Sequence, residues 1–385
     1  MAFLRTISTR RLLALVLGVV VGGAGTAAIA LAATNGTGTK PPPQPLARAV
    51  HAALTAPKVP GVSARIKFTN HLIDSSAITG STPLVSGATG RLWASSDGKV
   101  RLELQSTDGD VQLVKNGNSF LLYDGSSNTA YRGEIPSRSD DKSHDNGPPS
   151  IADIQKAIGD VKQHAGLSGA IPTTVAGRSA YEVRVTPQHG GLVSGARLAW
   201  DAIRGVPLEI ALYARGNSSP VLSLTATSIS YGSVPASTFA ISPPKGAHVV
   251  DLTPRTTSGP HGKKEISGLR AVQRALPFQL SAPATLTGKQ RQGVTLIGSG
   301  KDAGALLTYG KGLDGIAVIE SDASDSNQQQ PTGGLSLPSV SIDGVSGQEL
   351  PTALGTVVRF TRGGIEYTVL ASQPAETVIA AARGL

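Results

Sequence analysis

The stretch "DVQLVKNGNSFLLYDGSSNTAYRG", Asp110 to Gly133, decides how the chain is read. Val111 and Leu113 alternate with polar residues, Asn116-Gly117-Asn118 breaks the run, and Phe120 to Tyr123 starts a second one. An Asn-Gly between two such runs is a hairpin signal, because both central positions of the tight turn demand a backbone that Asn and Gly tolerate. A second break follows at Asp124-Gly125, where a carboxylate can accept turn N–H groups. Tyr123-Asp124 therefore reads as a turn that fixes strand register. No base, metal ligand or nucleophile accompanies the pair.

The same period of two extends outward. "KVRLELQS" puts Val100, Leu102 and Leu104 on one side and Lys99, Arg101, Glu103 and Gln105 on the other. "ARIKF" puts Ile66 and Phe68 together. An aliphatic row backed by a charged row is a sheet with one wet face. Further strands are expected at "AYEVRVTP", "ARLAWDAIRGVPLEIALYARG" and "VLSLTATSISYG". Two helices interrupt them. Leu46, Ala49, Val50, Ala53 and Leu54 recur at helical spacing before Pro57. Ser150 with Asp153 opens a capping box ahead of Ile151, Ile154, Ile158 and Val161.

The bulk composition agrees. The chain has 385 residues, 16% of them charged and 4% aromatic, with 46 glycines and 25 prolines. Frequent turns suit many short strands. The net charge is +9, with Arg5, Arg10 and Arg11 contributing from the leader. Lys and Arg are scattered, so no nucleic-acid partner is implied, while an anionic membrane surface would attract the chain. There is no cysteine, which excludes disulfides, thiol catalysis, thiolate metal sites and the acylated residue of a bacterial lipoprotein.

The organisation reads as five pieces. Residues 1–33 are a signal peptide or membrane anchor: three arginines precede an uncharged apolar run, Leu12 to Ala33, with an A-x-A site at Ala30 to Ala32. Either fate exports the rest, making the protein extracytoplasmic. Residues 34–45 are a Pro-rich linker, 46–252 a first domain, 253–264 a second linker and 265–385 a smaller α+β domain. Ser137 to Pro149 is a polar insertion and Ser321 to Gly334 a Ser/Gln/Gly-rich loop. The C-terminal helix spans about Pro374 to Arg383, capped by Ser372.

Motifs for chemistry are sparse. The seven histidines show no HExxH pattern or three- to four-residue spacing. No GxSxG is present. "LIGSGKDAG", Leu296 to Gly304, lacks the spacing and the Ser/Thr of a phosphate loop and reads as a turn. Asp140, Asp141 and Asp145 lack the spacing of a calcium loop. No cofactor and no metal are expected.

Four pieces in order carry a resemblance: "FLLYDGSSNTAYRG", "RSAYEVRVTP", "ARLAWDAIRGVPLEIALYARG" and "SVPASTFAISPPKGAHVVD", the last with Phe239, Pro243, Pro244 and Gly246 in an F-x-x-x-P-P-x-G pattern. Together they resemble the LolA/RseB superfamily of envelope proteins, over roughly Leu46 to Asp251. "VQRALPFQLSAPATLTG" and "GIEYTVLASQPAETVIAAARGL" resemble the small domain that follows in RseB-type chains. The resemblance implies an α+β, mostly antiparallel fold: an unclosed, curved half-barrel with covering helices, then a smaller α+β domain. It implies a non-enzymatic protein whose partner is a lipid or lipoprotein acyl chain. The alternative it implies is a regulator that binds the extracytoplasmic part of a membrane anti-sigma factor through its C-terminal domain. The candidate cavity residues are Ile66, Phe68, Trp93, Val100, Leu102, Leu104, Val111, Leu113, Phe120, Leu122, Leu198, Trp200, Leu208 and Ile210. Alternation puts residues of one strand on a shared face; it does not separate cavity from core.

Overall fold

Val62, Ala64, Ile66 and Phe68 recur at every second residue, a period that an extended strand turns into one apolar face. The computed structural model, which describes residues 38–73, 83–134, 149–188, 190–240, 242–251, 266–298, 300, 303–323 and 337–385, shows that strand as β1 (Gly61–Asn70). Helix α1 (Leu46–Thr55) precedes it and the short α2 (Pro83–Ser86) follows. A meander comes next: β2 (Ala88–Ser95), β3 (Val100–Ser106), β4 (Gly109–Asn116), β5 (Ser119–Asp124) and β6 (Thr129–Glu134). Helix α3 (Ile151–Lys162) then leads to β7 (Ala165–Leu167), β8 (Ile171–Val175), β9 (Arg178–Pro187), β10 (Val193–Asp201), β11 (Pro207–Ala214) and β12 (Leu222–Tyr231). A 3-10 turn (Ala236–Phe239) and β13 (His248–Asp251) complete the first domain.

These strands form one sheet in the order β13-β6-β5-β4-β3-β2-β1-β12-β11-β10-β9-β7, with β8 also on β9. Every pair is antiparallel except β13 on β6. The end strands β13 and β7 do not meet, so the curled sheet is an unclosed half-barrel, as expected from the resemblance. The hairpin signals are satisfied. Gly117 has φ +59 in the β4–β5 turn, and Asp124 Oδ1 accepts from Ser126 N–H at 2.9 Å in the β5–β6 turn. Asn128 then ties this turn to the closing piece: its amide donates to Gly246 O at 3.1 Å, and its carbonyl accepts from His248 N–H at 2.9 Å.

The second domain contains α4 (Leu269–Ala275), β14 (Thr285–Leu286), β15 (Lys289–Ile297), β16 (Gly304–Tyr309), a 3-10 turn (Gly312–Asp314), β17 (Ile316–Asp322), β18 (Ser339–Ile342), β19 (Val345–Thr352), β20 (Gly355–Arg362), β21 (Ile365–Ala371) and α5 (Ala375–Arg383). Its sheet runs β14-β15-β16-β17-β21-β20-β19-β18. Leu307, Val318, Val358 and Val369 from the sheet and Val272 and Val378 from the helices are all fully buried in one core.

Several expectations need adjustment. The proline-rich stretch is no free tether from residue 38 onward. Its carbonyls are used as acceptors: Pro42 O takes the Tyr181 hydroxyl at 2.7 Å, Thr39 O takes the Ser179 hydroxyl at 2.5 Å, and Gln44 bridges to Ala170. The α3 capping box forms as read, but of the four stripe residues only Ile154 is buried. The reason is placement: α3 lies against α1 and β7, at the margin of the sheet. Ser372 does not cap α5, whose N-cap is Pro374; the Ser372 hydroxyl donates instead to Leu354 O at 2.7 Å. Strand β17 runs to Asp322, past the expected start of the polar loop at Ser321. The leader, the second linker, nearly all of the polar insertion with Asp140, Asp141 and Asp145, and the loop from 324 to 334 lie outside the described residues.

Candidate functional site

In an antiparallel sheet, directly opposed residues point to the same side. The register therefore assigns each side chain to a face. One ladder runs Tyr131–Leu122–Leu113–Leu102–Leu92–Ala64–Ile229, crossing seven strands from β6 to β12 without a polar group other than the tyrosine hydroxyl. A second runs Phe68–Leu224–Ile210–Leu198–Val183, crossing β1, β12, β11, β10 and β9. We call the side they share the inner face. Helix α1 covers one part of it, where Ala49 packs with Tyr181, Trp200 and Ala170 against Leu198 and Val183. Helix α2 covers another part, lying over β1, β3 and β4.

Among the described residues the cover is incomplete. Ile66, Leu104 and Val111 are buried, but Phe68, Val100, Leu102, Leu113, Leu122, Leu198 and Ile210 are only half-buried. The second domain has the same layered plan, yet its core side chains reach 0% exposure. A filled core and a partly open apolar face thus occur side by side in one chain.

Of the fourteen residues singled out by alternation, twelve have inner-face register. Phe120 shares that register, opposite Lys115 and Gly133, but it also borders a cavity on the other side of the sheet. Leu208 falls at a β-bulge, where Ala199 pairs with Glu209 and Trp200 with Pro207, and it is buried. Trp93 is on the outer face. It stands opposite Ser63 and Arg101, and the Arg101 guanidinium lies over its ring at 5.5 Å. "GRLWAS" carries large apolar residues at consecutive positions, so alternation alone allowed either Leu92 or Trp93 to point inward. The pairing of Leu92 with Ala64 and Leu102 settles the choice.

Leu92, Val183, Leu224 and Ile229 were missed. The signal was present, because "LSLTATSISYG" alternates as cleanly as the strands that were used. Tyr231 was also missed. It closes one end of the inner face by donating to Asp201 Oδ2 at 2.7 Å. Asp201 Oδ1 in turn accepts from Ile203 and Arg204 N–H at 2.8 and 2.9 Å, which makes the turn at the strand-ending Asp. Burial, and then the hydrogen bond to the Asp201 carboxylate, push the Tyr231 hydroxyl far above the ordinary tyrosine range. It stays a neutral donor. Arg178 lies over its ring at 5.0 Å.

The outer face is polar and largely ion-paired. Arg184 meets Glu182 at 2.6 Å, Arg197 meets Glu209, Arg101 meets Glu103 and Arg132 meets Asp251 at 3.3 Å. Two cavities lie on this side. One of about 500 Å³ sits between β4–β6 and the segment carrying Phe239 and Pro243; one of about 330 Å³ is bordered by Arg184, Arg197 and Tyr213. Among the described residues no group of three His, Cys, Asp or Glu is placed to hold a metal ion, and no helix is long and apolar enough to cross a membrane.

No protein-family model matches the chain, and no curated protein matches it. Solved structures do. The Pseudomonas aeruginosa MucA/MucB complex contains a chain 17% identical, with 87% of this chain and 94% of that one covered and a TM-score of 0.41. A crystal structure of MucB is 17% identical, with 88% and 96% covered and a TM-score of 0.38. A putative outer membrane lipoprotein-sorting protein domain from Vibrio parahaemolyticus is 10% identical, with 47% and 89% covered and a TM-score of 0.15.

Proposed function

We propose that this chain is a non-enzymatic, extracytoplasmic lipid- or lipoprotein-binding protein that holds an acyl chain along the inner face of its half-barrel. One observation carries the reading: two apolar ladders, together spanning ten strands, are half-buried over much of their length beneath described helices that cover them only in part. A row of aliphatic side chains at this exposure is costly in water, and a hydrocarbon occupant would remove that cost. Each buried CH₂ gains ~0.8 kcal/mol. A tail of about sixteen carbons gains on the order of 10 kcal/mol before ordering losses, which is ample for stable binding.

The test is native mass spectrometry of the exported body purified from its own host, together with titration of a fluorescent fatty acid. The expected result is a co-purifying lipid and saturable uptake. Leu113→Asp, at the middle of the long ladder, should lower fatty-acid affinity at least about tenfold, because a carboxylate would then face the hydrocarbon. A lipid-free protein that also takes up no fatty acid overturns the reading.

A second reading rests on the second domain. Val357 and Leu370 oppose each other on its outer sheet face and are 36% and 37% exposed. We infer from this apolar pair a contact for a membrane-bound partner, in the alternative role of a regulator that captures the extracytoplasmic part of an anti-sigma factor. Deleting Glu265 to Leu385 should abolish capture and leave lipid uptake intact. If the deletion alters neither, this reading loses its support.

A further inference from the structure

The outer face contains one region unlike the rest of it. Arg65 on β1 stands directly opposite Arg91 on β2, and Lys67 lies two residues along from Arg65 on the same side. All three are exposed. Among the described residues none of them has a carboxylate within 4 Å, whereas Arg101, Arg132, Arg184 and Arg197 on the same face each do. Glu103 is the cross-strand neighbour of Arg91, but Arg101 already engages it. The other cross-strand neighbours of Arg65 and Lys67 are neutral hydroxyls: Thr89 opposite Lys67, Ser228 opposite Arg65 and Thr225 on the far side of Lys67.

Like charges directly opposed in a sheet destabilise it by a few tenths of a kcal/mol or more. Folding gains nothing from this arrangement, so an external anion is its natural complement. At ~3.4 Å per residue along a strand and ~4.8 Å between strands, the three cations fall within about 10 Å of one another. They form an exposed cationic array on the open face of the strands. A pocket would select one small anion, whereas an open array matches a plane of phosphates. The next row adds Trp93, half-buried, an aromatic of the type that settles at a lipid headgroup layer. The basic, apolar leader read from the sequence is expected to deliver the chain to the cell envelope.

We infer that the outer face of β1, β2 and β12, through Arg65, Lys67 and Arg91, docks the protein on an anionic phospholipid membrane. This surface is on the opposite side of the sheet from the apolar ladders, and the inference stands or falls independently of what the ladders hold. The inner face then points away from the docked bilayer, and the membrane contact is electrostatic and reversible.

The experiment is vesicle co-sedimentation of the chain from Thr34 onward, which keeps every described residue and both cores. Vesicles contain about 30 mol% phosphatidylglycerol in phosphatidylcholine, or phosphatidylcholine alone. Binding to the anionic vesicles only, weakening steeply from about 0.1 to about 0.5 M salt, is expected. Each cation near an anionic surface contributes about fivefold, so Arg65→Gln, Lys67→Gln and Arg91→Gln together should weaken binding about a hundredfold. The charge-matched control Lys156→Gln, Lys245→Gln, Lys311→Gln should bind within about threefold of the parent, because those lysines lie elsewhere. Arg65→Glu keeps the variant folded, since the introduced carboxylate would pair with Arg91, and it should lose binding while its melting temperature holds or rises. An equal loss in the control triple, undiminished binding by the target triple, or tighter binding of single-stranded DNA or polyglutamate than of the anionic vesicles overturns the inference. Fatty-acid uptake, measured on the same variants, reports the inner face separately.

Discussion

Glu320 is the residue whose chemistry is most altered by the fold. It is fully buried in the second domain, where one carboxylate oxygen accepts from Ser281 N–H at 2.9 Å and the other has no hydrogen-bond partner among the described residues. Burial pushes its carboxyl up from 4.5 to about 7, against a smaller opposing effect of the Ser281 N–H. The consequence for stability follows from the sign. Below pH about 4.5 the group is protonated whether the domain is folded or not. As pH rises toward about 7 the unfolded chain ionises first, so the second domain loses stability across that window, by about 3 kcal/mol in all. Glu320→Gln should keep the acceptor for Ser281 and flatten this dependence, as chemical denaturation at pH 4.5, 6 and 8 would show. No spacing or motif marked Glu320, because its neighbours Ile319 and Ser321 give it no distinctive setting in sequence.

At the scale of elements, alternation identified the strands and left their pairing open. "KVRLELQS" showed that Leu102 and Leu104 share a face, but only the register puts Leu102 beside Leu92 and Leu113. Gly90 is the position that fixes the β2–β3 register. A Cβ placed there would come within 1.8 Å of Glu103 O, so no other residue permits this approach of the two strands. Gly90→Ala should cost at least about 2 kcal/mol and lower the melting temperature of the first domain while leaving the second unchanged. Two separate transitions in calorimetry would resolve the effect. The same logic explains the Trp93 misplacement. A period of two has two phases, and a strand with large apolar groups on both faces does not reveal which is inward.

At the scale of the molecule, the two domains are latched together. The turn joining β9 to β10 enters the second domain: Leu192 N–H donates to Ser372 O at 2.8 Å, and Ala353 N–H donates to Leu72 O at 2.7 Å. Gly191, with φ +77, makes the approach, and a Cβ there would lie 2.6 Å from the Ser372 hydroxyl. Gly191→Ala should loosen the latch by more than ~1 kcal/mol and raise the radius of gyration in small-angle scattering, with a small loss of melting temperature confined to the first domain, whose turn carries the left-handed backbone. An unchanged scattering curve would mean that Leu72–Ala353 holds the domains without this turn.

Strand period, hairpin turns and the α3 capping box were legible because each is set by residues near one another in sequence. The sequence by itself determined a one-wet-face antiparallel protein whose Tyr123-Asp124 is a register-setting turn. Tertiary structure alone decided which apolar rows align into ladders, that the described helices cover the inner face only in part, that Trp93 shares the outer face with Arg65, Lys67 and Arg91, and that Ser372 joins the two sheet units. The physical reason is that these facts depend on register and on packing between distant segments, and a local period of two is the same whichever partner a strand takes.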